Sequence, residues 1–158
     1  MQVTAEKPDA RPRRVRVMAF AAVLSLTVFA APSPVQADPA SDAGVSAAML
    51  NNTRAAHGLH RLWPDAELQR IANRQANAMA DSGGVWHTAD LGSQLSWGWW
   101  AWSENVGYGP SVGWVHDAFM NSWSHSATAL SPRYNYVGVG VAYGWDGKVY
   151  VAQVFGAW

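Results

Sequence analysis

Two imidazoles and one carboxylate, those of His87, Glu104 and His125, stand in an otherwise apolar, tryptophan-rich part of this chain. Side chains of these types rarely occupy such surroundings unless they pair, hold a metal ion or act on a ligand. They arrive in three short pieces: Trp86-His87-Thr88, Ser103-Glu104-Asn105-Val106-Gly107-Tyr108, and Phe119-Met120-Asn121-Ser122-Trp123-Ser124-His125. Neutral imidazoles converging from separate elements, His87 and His125 here, could hold a divalent ion such as zinc weakly, with water completing the set. Beside such an ion Glu104 would serve as the general base of a hydrolase. The separations of 17 and 21 residues match no self-contained metal motif. Metal binding, catalysis and plain hydrogen bonding all stay open at this level.

Other residues compete for a chemical role. Gly109-Pro110-Ser111-Val112-Gly113 fits the nucleophile-elbow pattern between a strand and a helix. That elbow belongs to a long parallel-sheet hydrolase, however, and Ser111 reads better as a helix N-cap. Trp97, Trp99, Trp100 and Trp102 could form a flat platform for sugars, or could pack a long loop. Trp99 and Trp100 are adjacent, so in an extended segment only one of them can face inward. His57, His60 and His116 read as surface or hydrogen-bonding residues. Asn51-Asn52-Thr53 is formally a glycosylation sequon, but it falls inside a predicted helix. Arg54 is better placed to tie that helix to a loop through its guanidinium.

The elements that must position these groups are legible in outline. Val45, Met49, Asn52/Thr53 and Ala56 suggest a first helical stripe, ended by Gly58. Leu62-Trp63-Pro64 reads as a turn, and Asp65 as the N-cap of a second helix. There Leu68, Ile71, Ala72, Gln75/Ala76 and Met79 recur at helical spacing until Ser82-Gly83-Gly84 stops it. From Val85 to Ser103 no period survives, which predicts a long loop carrying His87 and the tryptophan cluster. Glu104 to Tyr108 should be a short strand. Ser111 should open a helix reaching about Trp123, followed by a short helical piece around Ser126 to Leu130. Val137, Val139 and Val141 alternate with Gly138, Gly140 and Ala142, as in a strand with one face pressed against another layer. Asp146-Gly147 suits a hairpin turn into a last strand, Val149 to Phe155. Helices, a strand, a helix and a hairpin give an α+β domain with an antiparallel sheet covered by helices.

The start of the chain has a different character. Arg11, Arg13, Arg14 and Arg16 precede an apolar run from Met18 to Ala31, too short to span a bilayer comfortably. Pro32 and Pro34 break the run, and Val35-Gln36-Ala37 is a small-x-Ala cleavage site. Residues 1–37 are therefore expected to be a signal peptide, residues 38–43 a short linker, and residues 44–158 the folded domain. The Arg13-Arg14 pair leaves open general or twin-arginine export. Residues 38–158 carry six basic and nine acidic side chains, which is no electrostatic footprint for nucleic acid. No membrane span is expected after the signal. The chain has no cysteine, so thiol chemistry and thiolate metal sites are excluded and the exported fold must hold by packing. All ten tryptophans lie beyond residue 37.

Taken in order, the helix bearing Asn51-Asn52-Thr53-Arg54 and Gly58-Leu59, the three polar pieces, and Tyr136-Val137-Gly138-Val139-Gly140-Val141 resemble the CAP superfamily of cysteine-rich secretory, antigen 5 and pathogenesis-related proteins, in its bacterial, cysteine-free branch. The resemblance runs from about Ala43 to Phe155. It implies a three-layer α-β-α sandwich with a small antiparallel central sheet. It also implies a cavity in which His87 and His125 match the two histidines and Glu104-Asn105 the Glu-Asn pair. Many members carry a second glutamate one helical turn before the second histidine; here that place holds Ser122, and the glycine common before Glu-Asn is Ser103. The family resemblance implies an extracellular protein whose ligand is a lipid, a peptide or a cell-wall glycan. The missing glutamate, and the lack of a nucleophile with a matched base, favour a non-enzymatic binding domain with a cleft over His87, Glu104, His125, Ser122 and Asn105. The alternatives are a metal-assisted hydrolase of peptide or cell-wall material and a carbohydrate-binding module built on the tryptophan loop.

Overall fold

The computed structural model describes residues 38–158, so the expected signal peptide at 1–37 lies outside the described residues. Helix α1 spans Pro39–Ala56 and α2 Ala66–Ser82, with the two-residue strand β1, Trp63–Pro64, between them. A single 3-10 turn, Leu91–Gln94, interrupts the following loop. Strand β2 (Ala101–Gly109), helices α3 (Val112–Asn121) and α4 (Trp123–Ala129), and the hairpin of β3 (Tyr136–Tyr143) and β4 (Val149–Ala157) complete the chain. The sheet order is β1-β3-β4-β2.

Alternation along the strands divides the core into two layers. Val137, Val139, Val141, Val149, Val151 and Phe155 pack with Leu50 of α1, Val115 and Phe119 of α3, and Ala129 of α4. Ala142, Tyr150, Ala152 and Val154 point the other way, onto Leu68, Ile71, Ala72, Ala76 and Met79 of α2. The result is the expected α-β-α sandwich. Helix α2 begins where Asp65 Oδ1 accepts the Glu67 and Leu68 amides, at 2.9 and 3.0 Å, and ends where Gly83 takes a left-handed φ of 73°. It lies directly on Gly138 and Gly140, whose missing side chains leave room for the backbone of Leu68 and Ala72.

Four expectations need correction. Residues 38–43 form the start of α1 rather than a linker: Asp38 accepts the Ala40 amide at 3.1 Å and Pro39 occupies the first turn, where its missing N–H matters least. The buried stripe of α1 is Ser46, Leu50, Asn51 and Arg54, one residue out of phase with the stripe of Val45 and Met49. The reason is that polar side chains on that face carry essential bonds. Asn51 pairs with both the N–H and the C=O of Leu62, and Arg54 donates to the carbonyls of His60 (3.0 Å), Ala129 (2.7 Å) and Ser131 (2.9 Å). The sheet is mixed, because Trp63-Pro64 is a strand rather than a turn, pairing parallel with Tyr136 and Val137 at the sheet edge, where proline is tolerated. Finally, β2 starts at Ala101 and α3 stops at Asn121: Ser122 is extended (φ −100°, ψ 121°) and a separate helix follows.

Candidate functional site

Strand β2 sends alternate side chains to opposite faces, and the site straddles it. Glu104 points toward the α2 side and is almost wholly buried. Its Oε2 accepts from the Thr88 amide at 2.8 Å and from His87 Nδ1 at 3.0 Å, and its Oε1 accepts from the Thr88 hydroxyl at 2.6 Å. Three donors on its two oxygens leave this carboxylate about one of its roughly four acceptor sites, on Oε1. Its effect on His87 is specific. With Nδ1 turned to the carboxylate, Nε2 has no protein hydrogen-bond partner among the described residues, in a side chain that is 63% exposed.

Asn105, the next residue, points to the opposite face and donates to the carbonyl of His125 at 3.0 Å. His125 is the third residue of α4, and its Nδ1 lies 2.8 Å from Ser122 Oγ. Its ring tilts against Phe119, with centroids 5.0 Å apart. Burial, and then the proximity of His87, hold the His125 pKa below the usual imidazole value. The serine–imidazole pair is the nucleophile–base contact that the sequence reading lacked. Among the described residues, however, no carboxylate hydrogen-bonds this imidazole to orient it, and Ser122 and His125 join as neighbours across one helical turn.

His87, on the loop, is near enough to His125 of α4 to disfavour its charged form, but of the expected cleft residues only His125 and Ser122 line the adjoining groove; His87, Glu104 and Asn105 do not. Among the described residues, no three His, Cys, Asp or Glu side chains are grouped to hold a metal ion. The donor chemistry agrees. Glu104 is committed to Thr88 and His87, and Ser122 replaces a carboxylate, which leaves two imidazole nitrogens where a zinc site uses at least three protein ligands.

From His125 and Ser122 a groove of about 650 Å³ runs along Val106, Gly107, Tyr108 and Gly109 to Lys148 in the β3–β4 hairpin. Val85, Trp114, Ala118 and Phe119 form its walls. Gly107 and Gly109 let two of those walls lie directly on β2, since a Cβ on Gly107 would come within 2.8 Å of Phe119 and one on Gly109 would collide with Trp114. Thr88 and this groove were missed in the sequence. The signal was the glycine alternation within β2, which marks side chains of another element lying close on the strand.

The remaining expected residues separate. Trp99 is 7% exposed and packed, whereas Trp97 is 96%, Trp100 56% and Trp102 43% exposed. Trp97, Trp99 and Trp102 line a second, smaller concavity of about 400 Å³. Ser111 caps α3 through Oγ, which accepts the Trp114 amide at 3.2 Å. His57 and His60 bond backbone carbonyls, and His116 bonds the Thr53 hydroxyl at 2.9 Å.

The α-β-α sandwich is that of CAP domains, and a sequence model of the CAP cysteine-rich secretory protein family matches residues 47–155. This chain belongs to that family. Among solved structures, an outer surface protein from Borrelia burgdorferi is similar at 19% identity and a TM-score of 0.68, covering 76% of this chain and 95% of its own. A cysteine-rich secretory protein from Staphylococcus aureus aligns at 23% identity and a TM-score of 0.64, over 78% of this chain and 40% of the other. An extracellular SCP-domain protein from Bacillus anthracis aligns at 20% identity and 0.65, over 76% and 41%. At these identities the likeness is one of fold. No curated protein matches by sequence. Among the described residues no helix is long and apolar enough to cross a membrane.

Proposed function

We propose that this chain is an exported, extracellular CAP domain that binds an elongated ligand without chemically altering it, in the groove beginning at His125 and Ser122. One observation carries the reading: Glu104, the natural general base, has both oxygens engaged by Thr88 and His87, while the adjoining groove is open, apolar and of ligand size. Export is supported by the basic and apolar pattern of residues 1–37 and by similarity to outer-surface and extracellular proteins. In this reading Glu104 and Thr88 fix the loop that carries His87, and the groove does the binding.

The test has two arms. Anilinonaphthalene sulfonate should brighten on the wild-type protein and not on Ala118→Phe, which fills the groove, while Trp97→Ala leaves the signal intact. Casein and peptidoglycan should show no turnover, with or without zinc. A general base typically contributes ~10²–10⁴-fold in rate. Zinc-stimulated cleavage that drops by such a factor in Glu104→Gln would overturn the reading in favour of the hydrolase.

A further inference from the structure

The groove lies at the outer edge of the sheet, and that position says what fills it. Strand β2 is terminal in the order β1-β3-β4-β2, with β4 as its one partner through the register Ala101↔Ala157 to Gly109↔Val149. The groove touches Val106, whose side chain belongs to the α2 layer, and also Phe119 and Ala118 on the α3 side. A cavity lined from both faces of a strand must wrap that strand's free edge. Among the described residues, no backbone hydrogen bond outside the β4 ladder involves residues 103–109. The alternate N–H and C=O groups of Val106 to Gly109 that point away from β4 therefore have no backbone partner among the described residues, and these four residues line an otherwise apolar groove.

We infer that the groove of the preceding reading receives an extended peptide segment, added to β2 as a fifth strand. A strand added there satisfies the outward amides and carbonyls, whereas an acyl chain would cover them unpaired, which is unfavourable. Side chains of the added strand would alternate between the wall of Trp114, Ala118 and Phe119 and the wall of Val85 and Tyr108, so an apolar residue at every second position fits. The ends of the groove are polar. His125 and Ser122 close one, and at the other Lys148 supplies the one cation of the lining, held 2.8 Å from Asp146 and over the Tyr108 ring. Asp146 already neutralises that cation, so the Lys148 end selects a polar residue rather than a particular charge. The partner is thus a short, extended segment of another protein with alternating apolar residues.

The probe is a blocked synthetic hexapeptide, Val-Thr-Val-Thr-Val-Asp, made also in two versions with backbone nitrogens methylated at one or the other alternate set. In an added strand only one alternate set faces β2. One methylated version should therefore bind about tenfold or more weakly than the parent, by loss of ladder hydrogen bonds, and the other should bind like it. Amide hydrogen exchange at residues 106–109 should slow with the parent peptide. These comparisons use the wild-type protein, so they do not depend on a variant folding. Equal binding of the parent and both methylated versions would overturn strand addition. Sodium laurate binding where no peptide binds would also overturn it, while leaving the groove reading intact; failure of every probe, including laurate, would remove both. Protection of the same amides that rises with protein concentration alone would assign the edge to a second copy and overturn the proposal.

Discussion

Trp97 and Trp99, two positions apart, have opposite energetic roles. Trp99 donates its indole N–H to Glu67 at 2.8 Å and packs edge-on to Tyr136, with centroids 5.8 Å apart. It also meets Trp158 at 5.2 Å. Glu67 gathers the same loop from Ser96, which donates through both its amide and its hydroxyl. Trp97 contributes almost no burial. Truncating a buried aromatic typically costs ~3–5 kcal/mol, whereas exposed positions usually stay within about 0.5 kcal/mol. Urea unfolding should therefore show Trp99→Ala losing several kcal/mol and Trp97→Ala nearly unchanged. Equal effects would mean that the loop is not anchored where the contacts place it. The rule that adjacent Trp99 and Trp100 cannot both face inward was readable from extended geometry; which of the two turns in depends on Glu67 of a distant helix, and no local pattern records that.

At the level of elements, α2 lies with its backbone directly against β3, and Gly138 and Gly140 permit it. A Cβ on Gly140 would strike the backbone of Ala72, which cannot swing aside as a side chain can. Forcing extra volume into a packed site typically costs ~1–3 kcal/mol, and displacing a helix belongs at the upper end or beyond. Gly44 provides the control. It lies within α1 with nothing near its would-be Cβ, so Ala there should stabilise by about 0.5–1 kcal/mol through helix propensity. Denaturant midpoints of Gly140→Ala and Gly44→Ala should thus move in opposite directions. A harmless Gly140→Ala would remove this close approach from the account of the fold. The contact was legible in the sequence because valine and glycine alternate strictly in β3. The phase of α1 was not, because its buried face carries Asn51 and Arg54, and an apolar count places polar residues outside. The same blindness hid Thr88, whose part in the site depends on meeting Glu104 sixteen positions further along the chain.

For the molecule as a whole, the absence of cysteine leaves stability to packing and to buried polar groups, and this makes it sensitive to acid. His116 is buried, with Nε2 2.9 Å from the Thr53 hydroxyl and, among the described residues, no partner for Nδ1. Burial holds its pKa below the ordinary 6.5, against the opposing pull of Asp117. His125 shifts the same way, through burial and then His87. For such groups the unfolded chain takes up a proton more readily than the folded one. Stability is then full above 6.5, the unfolded value, and declines as the pH falls from there toward the lowered folded value. The unfolding temperature should accordingly fall between about pH 7 and pH 5, before most carboxylates protonate. His116→Gln keeps a polar partner for Thr53 but cannot titrate, so the variant should show a shallower decline across that interval, even if its stability at neutral pH is lower. Calorimetric scans of both proteins over this range decide it. An identical slope in the variant would show that His116 does not take part in the acid response and that the sensitivity arises elsewhere in the fold.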